Sequence, residues 1–228
     1  MNRMEPITLK RTWQLILSDL DRYRVTDQRS YLAIFVMCPG AMAGIWYRIG
    51  YWIWHYEGRF KSLANLLRTP YLVLRRFVEI LTGIYISPRA EIGPGLYIIH
   101  FGCIFIGSTV IGSNCNIAQE VTLGVSGRGD KRGWPTLGDR VMVAAGAKII
   151  GTIHVGNDAV VGANAVVTKP IPDRAVAVGN PARISSYKGS FDFIFYTGME
   201  TDPSRLESLA LSERADSEEV GRVPEMAH

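Results

Sequence analysis

From Ile86 onward the chain repeats every six residues. The first run divides as ISPRAE, IGPGLY, IIHFGC, IFIGST, VIGSNC, and the second as LGDRVM, VAAGAK, IIGTIH, VGNDAV, VGANAV, VTKPIP. The first place of each unit is aliphatic: Ile86, Ile92, Ile98, Ile104 and Val110, then Leu137, Val143, Ile149, Val155, Val161 and Val167. Glycine recurs at the second place, as in Gly93, Gly138, Gly156 and Gly162. A period of six suits neither an α-helix nor an alternating strand. It suits a three-sided prism in which each unit supplies one flat face and about three units make a coil, the parallel β-helix. The aliphatic residues then point inward and stack, Ile86 over Ile104 and Val143 over Val161. Such coils bury a core only by stacking on one another, so the repeats stand or fall together. The fold class is therefore mainly β.

The beat stops between Leu123 and Leu137, where the chain reads GVSGRGDKRGWPT. This glycine-rich basic stretch, within the extruded loop 124–136, is too irregular for a coil. Loops extruded from a solenoid commonly line its binding face, so it is expected to wall an active site. Three regions follow: helical residues 1–83, a solenoid over 84–187, and an extension over 188–228. Apolar residues at helical spacing in TLKRTWQLILSDLDRY and LANLLRTPYLVLRRFVEILTG place helices in the first region. Leu32–Trp54 is near membrane-spanning length but is broken by Pro39-Gly40 and carries Arg48. Buried helices at an oligomer interface explain it better than a span. Trp13, Trp46, Trp52 and Trp54, with neighbouring arginines, also predict a peripheral membrane contact.

The net charge of +4 conceals a division. Residues 199–228 hold eight acidic and three basic residues, so a tail at −5 leaves +9 on the rest. That polar tail is expected to be mobile after about 198. The basic body suits a phosphorylated ligand or anionic lipid. No nucleic-acid module is present, so that partner is not expected. Cys38, Cys103 and Cys115 lack metal spacing and read as reduced packing residues of a cytosolic protein. The N-terminus shows no apolar core followed by a small-residue cleavage site.

Among four histidines, His228 is terminal, His55 lies in WIWHYEG and His154 ends a hexad at a surface place. His100, in GLYIIHFGC, sits on the solenoid shortly before the loop and is the candidate general base. An alcohol attacking a thioester needs a base with a pKa near neutrality. Backbone N–H groups of the coils would hold the oxyanion. Ala145 and Ala163, eighteen residues apart, should stack into a groove for a pantetheine arm, with Lys169 and Arg183 as phosphate contacts.

Residues 84–184 resemble the serine acetyltransferases, through TGIYISPRAEIG, VTLG, VAAGAKIIGTIHVG and VVTKPIP followed by VGNPAR. The likeness reaches into the helices at AMAGIWYRIGYWIW. It implies a left-handed coil, acetyl-CoA as co-substrate, His100 as the catalytic histidine, and Ala145, Ala163, Thr168, Lys169 and Arg183 as coenzyme A contacts. It also implies a cytoplasmic homotrimer, with the helices able to pair trimers into hexamers.

Three departures bear on the acceptor. The family places Asp before the catalytic His, where this chain has Ile99, so Glu120 and Asp130 become candidates to orient His100. The family's Arg-His-Pro is replaced by Arg132-Gly133-Trp134-Pro135, a sequence suited to stacking on a sugar ring. An Asp that contacts the substrate amine aligns near Arg29, with Asp27 close by. The substitutions resemble the exopolysaccharide branch, including the colanic-acid acetyltransferases. The sequence therefore predicts O-acetylation of a sugar hydroxyl in exopolysaccharide assembly, at the inner face of the membrane. The alternatives are serine O-acetylation or a non-catalytic scaffold. A zinc site is not expected, since the solenoid offers only His100 and His154.

Overall fold

The computed structural model describes residues 8–56, 61–129 and 132–220. Helix α1 (Leu9–Asp27) starts at Thr8, whose side chain accepts a hydrogen bond from the Arg11 N–H, and ends at Gln28 in the left-handed region. Then come α2 (Tyr31–Met37), α3 (Pro39–His55) and α4 (Lys61–Thr82). Pro39 lies in the first turn of α3, where its missing N–H costs nothing, and the chain bends by 98° between α2 and α3. Among the described residues no single helix is long and apolar enough to cross a membrane. Trp52 is buried, and Trp46 and Trp54 contact the Tyr71 ring of α4. Of the four tryptophans expected to face lipid, only Trp13 is strongly exposed, at 60%.

The chain then winds as a parallel β-solenoid of about five turns. Strands β1 (Ile84–Ile86), β2 (Glu91–Ile92) and β3 (Tyr97–Ile98) begin the first, second and third faces. The rotation continues through β4 (Ile104–Ile106), β5 (Val110–Ile111), β6 (Asn116–Ile117), β7 (Thr122–Gly124), β8 (Thr136–Leu137) and β9 (Met142–Val143). It closes with β10 (Lys148–Ile150), β11 (His154–Val155), β12 (Val160–Val161), β13 (Val166–Val167) and β14 (Val176–Val178), the last paired antiparallel with β15 (Arg183–Ser186). Ile92, Ile106, Ile117, Leu123 and Ile149 fill the interior as one buried ladder.

The expected register holds in the later coils and slips in the first. Val143 pairs with Val161 as predicted. Ile86 instead pairs with Ile106, because Ile104 pairs with Ile84. The cause is a surplus of residues in the turn from β3 to β4, where Gly102 and Cys103 both take positive φ. A later turn runs short, so Val110 faces out, 41% exposed, and Ile111 takes the inward place. The surplus pushes one corner out of the prism. His100 stands on it.

The helices are clamped to the first coil by ions. Asp19 and Arg48, both buried, form a two-pronged pair at 2.8 and 3.0 Å. Arg48 also donates to the carbonyls of Ile92 and Gly93, both at 2.6 Å, while Asp19 accepts from the Leu96 N–H at 2.9 Å. Arg22 donates to the Gly95 carbonyl at 2.7 Å and to the Asn116 side chain. These bonds satisfy charges that would otherwise be very costly to bury.

After β15 the chain returns along the corner between the second and third faces. Gly189 donates to Arg174 O, Ser190 to Asp158 O and Arg140 O, Asn116 to Phe193 O, and Arg22 to Phe195 O. Composition predicts a mobile chain after about 198, and the described part of that stretch is largely helical. Helix α5 (Pro203–Val220) buries Ser208 and Ser212, and Ser212 donates to Tyr187 O at 2.9 Å. A charge-rich segment can be held by polar capture as well as by apolar burial, here with Arg140 bonded to both Asp158 and Ser204.

Replacing Asp19 by Ala strands Arg48 in the interior and is expected to cost about 3–5 kcal/mol. A urea titration followed by circular dichroism reads this directly as a fall in the midpoint.

Candidate active site

His100 is exposed on the corner between the third and first faces, two residues beyond Ile98. By strand register, the equivalent places on later coils are Gln119, Ala145, Ala163 and Gly179. Coil-to-coil bonds run down this edge, from Glu120 N to Gly102 O at 3.0 Å, Gly146 N to Gln119 O at 2.9 Å and Asn164 N to Ala145 O at 2.8 Å. Adjacent strands lie about 4.8 Å apart, so small side chains at these places leave a shallow channel leading from His100. Gln119 joins the candidates here: its buried Oε1 has no hydrogen-bond partner. The sequence signal for it was its place in the column, visible only once the slipped register is known.

A cavity of about 240 Å³ opens beside His100. It is walled by Tyr23 and Asp27 of α1, by Met37, Cys38 and Gly40 at the bend after α2, and by Tyr97 to Phe101 of the corner. The Tyr23 hydroxyl donates to Ile98 O and accepts from Ile98 N, both at 3.1 Å, which fixes α1 against the strand before His100. Gly40 is required there, since a Cβ would fall 2.6 Å from Ile98 O. Ile99 is half-buried against the cluster of Ile16, Leu20 and Ile34, so its place serves packing and supplies no acid.

Asp27 is the carboxylate among the lining residues. It occupies the last turn of α1, where the helix dipole disfavours an anion. The Cys38 thiol points at it, Sγ to Oδ2 3.8 Å. Burial, then the Asp27 charge, push both the Cys38 thiol and the Tyr97 phenol above their ordinary pKa. The carboxylate and the negative helix end together favour a cation in this cavity.

The remaining predicted residues divide between places. Arg29 lines a separate open depression of about 700 Å³ with Asp21, Arg24 and Tyr31, donates to Met37 Sδ at 3.5 Å, and its charge partly offsets that of Asp27 at the Cys38 thiol. Glu120 lies on the His100 edge one coil on, in the left-handed region, and its carbonyl accepts from Lys148 Nζ. Asp130 falls outside the described residues. Arg132, Trp134, Thr168 and Lys169 stand on the corner between the first and second faces, across the first sheet from His100. The loop therefore does not wall the His100 cavity of its own chain. Trp134 lies on Gly107, where a Cβ would meet its ring at 1.7 Å. Arg183 is exposed on β15. Among the described residues, no group of three or more His, Cys, Asp or Glu could hold a metal ion. Cys115 is buried, and burial pushes its thiol up to about 12, which fits a packing role.

No protein-family model matches the chain. Sequence comparison finds the serine acetyltransferase of Mycobacterium tuberculosis, 39% identical over 154 residues, or 67% of this chain and 63% of that protein. The match thus spans under two thirds of the mycobacterial enzyme. The serine acetyltransferase of Helicobacter pylori is 40% identical over 156 residues, 68% of this chain and 86% of that one. In structure, the Neisseria gonorrhoeae serine acetyltransferase in complex with serine superposes with a TM-score of 0.65 at 29% identity, covering 76% of this chain and 69% of that one. A serine acetyltransferase complex with CoA gives 0.64 at 33%, covering 77% and 70%. The left-handed β-helix with an N-terminal helical region is the fold of these neighbours and of this chain.

Substituting Gly107 by Ala drives a methyl group into the Trp134 ring. A loss of about 1–3 kcal/mol is expected, read as a lower melting temperature, with Gly124→Ala as the unclashed comparison.

Proposed function

Because the chain belongs to the serine acetyltransferase family, we propose that it is an acetyl-CoA-dependent O-acetyltransferase whose acceptor is serine. One observation carries the acceptor: Asp27 and His100 share a cavity of about 240 Å³. That space suits a small molecule, below the usual range for drug-sized ligands. A carboxylate at a helix C-terminus attracts an ammonium group, and the nearby histidine can then address a hydroxyl on the same small molecule.

In this reading His100 takes the proton from the acceptor hydroxyl as the oxygen attacks the thioester carbonyl carbon. Backbone N–H groups of the protruding corner face the developing oxyanion. Collapse breaks the carbon–sulfur bond, and protonated His100 returns the proton to the departing thiolate. Asp27 stabilises positive charge in the cavity through both steps. The family's acid before the histidine is absent, so His100 relies on its surroundings for orientation. The pantetheine arm runs along Ala145 and Ala163, with Arg183 of the same copy and Thr168 and Lys169 of the neighbouring copy meeting the phosphate-bearing end.

The division of residues between two edges of the first sheet supports a homotrimer. In a closed ring, Arg132 and Trp134 of one copy meet the His100 edge of the next, and the loop then walls the neighbour's site. The cytoplasm, where acetyl-CoA is made, is the proposed location. A sugar hydroxyl is the second reading, favoured by Ile99 and by the half-exposed Trp134 beside exposed Arg132.

Thiol release measured with serine, nucleotide sugars and oligosaccharides separates these readings. Serine is expected to support turnover, which falls at least about 100-fold in His100→Ala. Asp27→Asn is expected to raise KM for serine more than it lowers kcat. Turnover with a glycan alone would establish the sugar reading, and equal thiol release in His100→Ala would remove the catalytic one. Independently, Ala163→Phe fills the channel, so titration calorimetry should show coenzyme A binding at least about tenfold weaker while the melting temperature is kept.

A further inference from the structure

Along the edge that leads away from His100, only the first two places carry long side chains. His100 and Gln119 are followed by Ala145, Ala163 and Gly179. The backbone at Gln119 is held by both neighbouring coils. The Glu120 N–H donates to Gly102 O at 3.0 Å, and the Gln119 carbonyl accepts from the Gly146 N–H at 2.9 Å. The side chain has no such anchor: Oε1 is buried and accepts no hydrogen bond. A carboxamide kept for packing would have its buried oxygen paired, as buried polar groups generally are. Rotation about its last torsion, which is soft, exchanges the oxygen and amide ends. Gln119 as a whole is only half-buried, so the turned oxygen faces the channel.

Given the acetyl-CoA-dependent reaction proposed above, we propose that Gln119 accepts a hydrogen bond from the pantetheine amide nearest the sulfur, and so sets how far the arm runs toward His100. Three features point to that group. An unpaired oxygen calls for a donor, and the amide N–H of the arm is one. That nitrogen is two carbons from the sulfur, and Gln119 is one coil, about 4.8 Å, from the place of His100. The small acceptor molecule lies elsewhere, since Gln119 is not among the residues that wall the cavity with Asp27. Ala145, Ala163 and Gly179 offer no polar side chain, so within this column Gln119 alone can fix the arm lengthwise.

Calorimetric titration with coenzyme A and thermal melting, on the full chain and on Gln119→Met, test the assignment. Methionine keeps the length and removes the carboxamide. Binding is expected to weaken at least about fivefold. The melting temperature is expected to hold or rise, because an unpaired buried oxygen has been removed. A residue that served the fold alone would show the reverse. Turnover of two small thioesters then locates the contact. S,N-diacetylcysteamine carries the amide nearest the sulfur and nothing beyond it, and S-propyl thioacetate lacks it. The unmodified chain is expected to prefer the first at least about fivefold in kcat/KM, and Gln119→Met to lose that preference. Equal coenzyme A affinity in Gln119→Met, or an unchanged thioester preference, overturns the assignment and leaves the acetyl-CoA reaction standing. Absence of coenzyme A binding by the unmodified chain removes that reaction, and the assignment with it.

Discussion

The placement of Asp27 relative to His100 depends on the ionic clasp between the helices and the first coil. A solenoid's end coil presents open backbone groups, and here Arg48 and Asp19 satisfy those of Ile92, Gly93 and Leu96 from within the helical layer. Because both ions are buried and each has several partners, the clasp fixes direction as well as distance. Asp19 lies eight residues before Asp27 on the same helix, about two turns away. Fixing one therefore fixes the other, and Tyr23 between them locks onto Ile98. The carboxylate of the cavity and the histidine of the corner belong to different layers. Polar bonds through Tyr23 and Asp19 and the apolar cluster around Ile99 both bring them together.

Much of the solenoid was legible because its period is imposed by geometry that every coil shares. Val143 and Val161, or Ala145 and Ala163, could be stacked from their spacing alone. The first coil was not, because a turn can absorb additional residues when its backbone reaches positive φ, and nothing in IIHFGC announces that Cys103 will do so. The site was half legible. His100 was a candidate from chemistry alone, but which of Asp27 and Arg29 lines its cavity required the end of α1 to be known, and helix ends are the least certain feature of a sequence. Which copy's site the loop could serve was not legible, for a topological reason: it leaves the first sheet by the edge opposite His100 of its own chain.

The departures from the serine acetyltransferases acquire physical content in three dimensions. Ile99 exchanges a possible acid for apolar anchoring of the protruding corner against Ile16, Leu20 and Ile34. In the proposed reaction, electrostatic support for a positive His100 comes from farther away, and Asp27 at the helix end is the carboxylate that lines the same cavity.

The returning segment after β15 has a consequence for cooperativity. Stacked repeats are nearly one-dimensional, so their terminal coils can fray while the middle stays folded. This chain binds Arg174 near one end, Asp158 and Arg140 in the middle, and Asn116 and Arg22 near the other, all through residues 189–195. Opening any one coil then loosens a strip shared by all of them. Sub-global openings are suppressed, and amide protection along the prism should approach the value set by global unfolding.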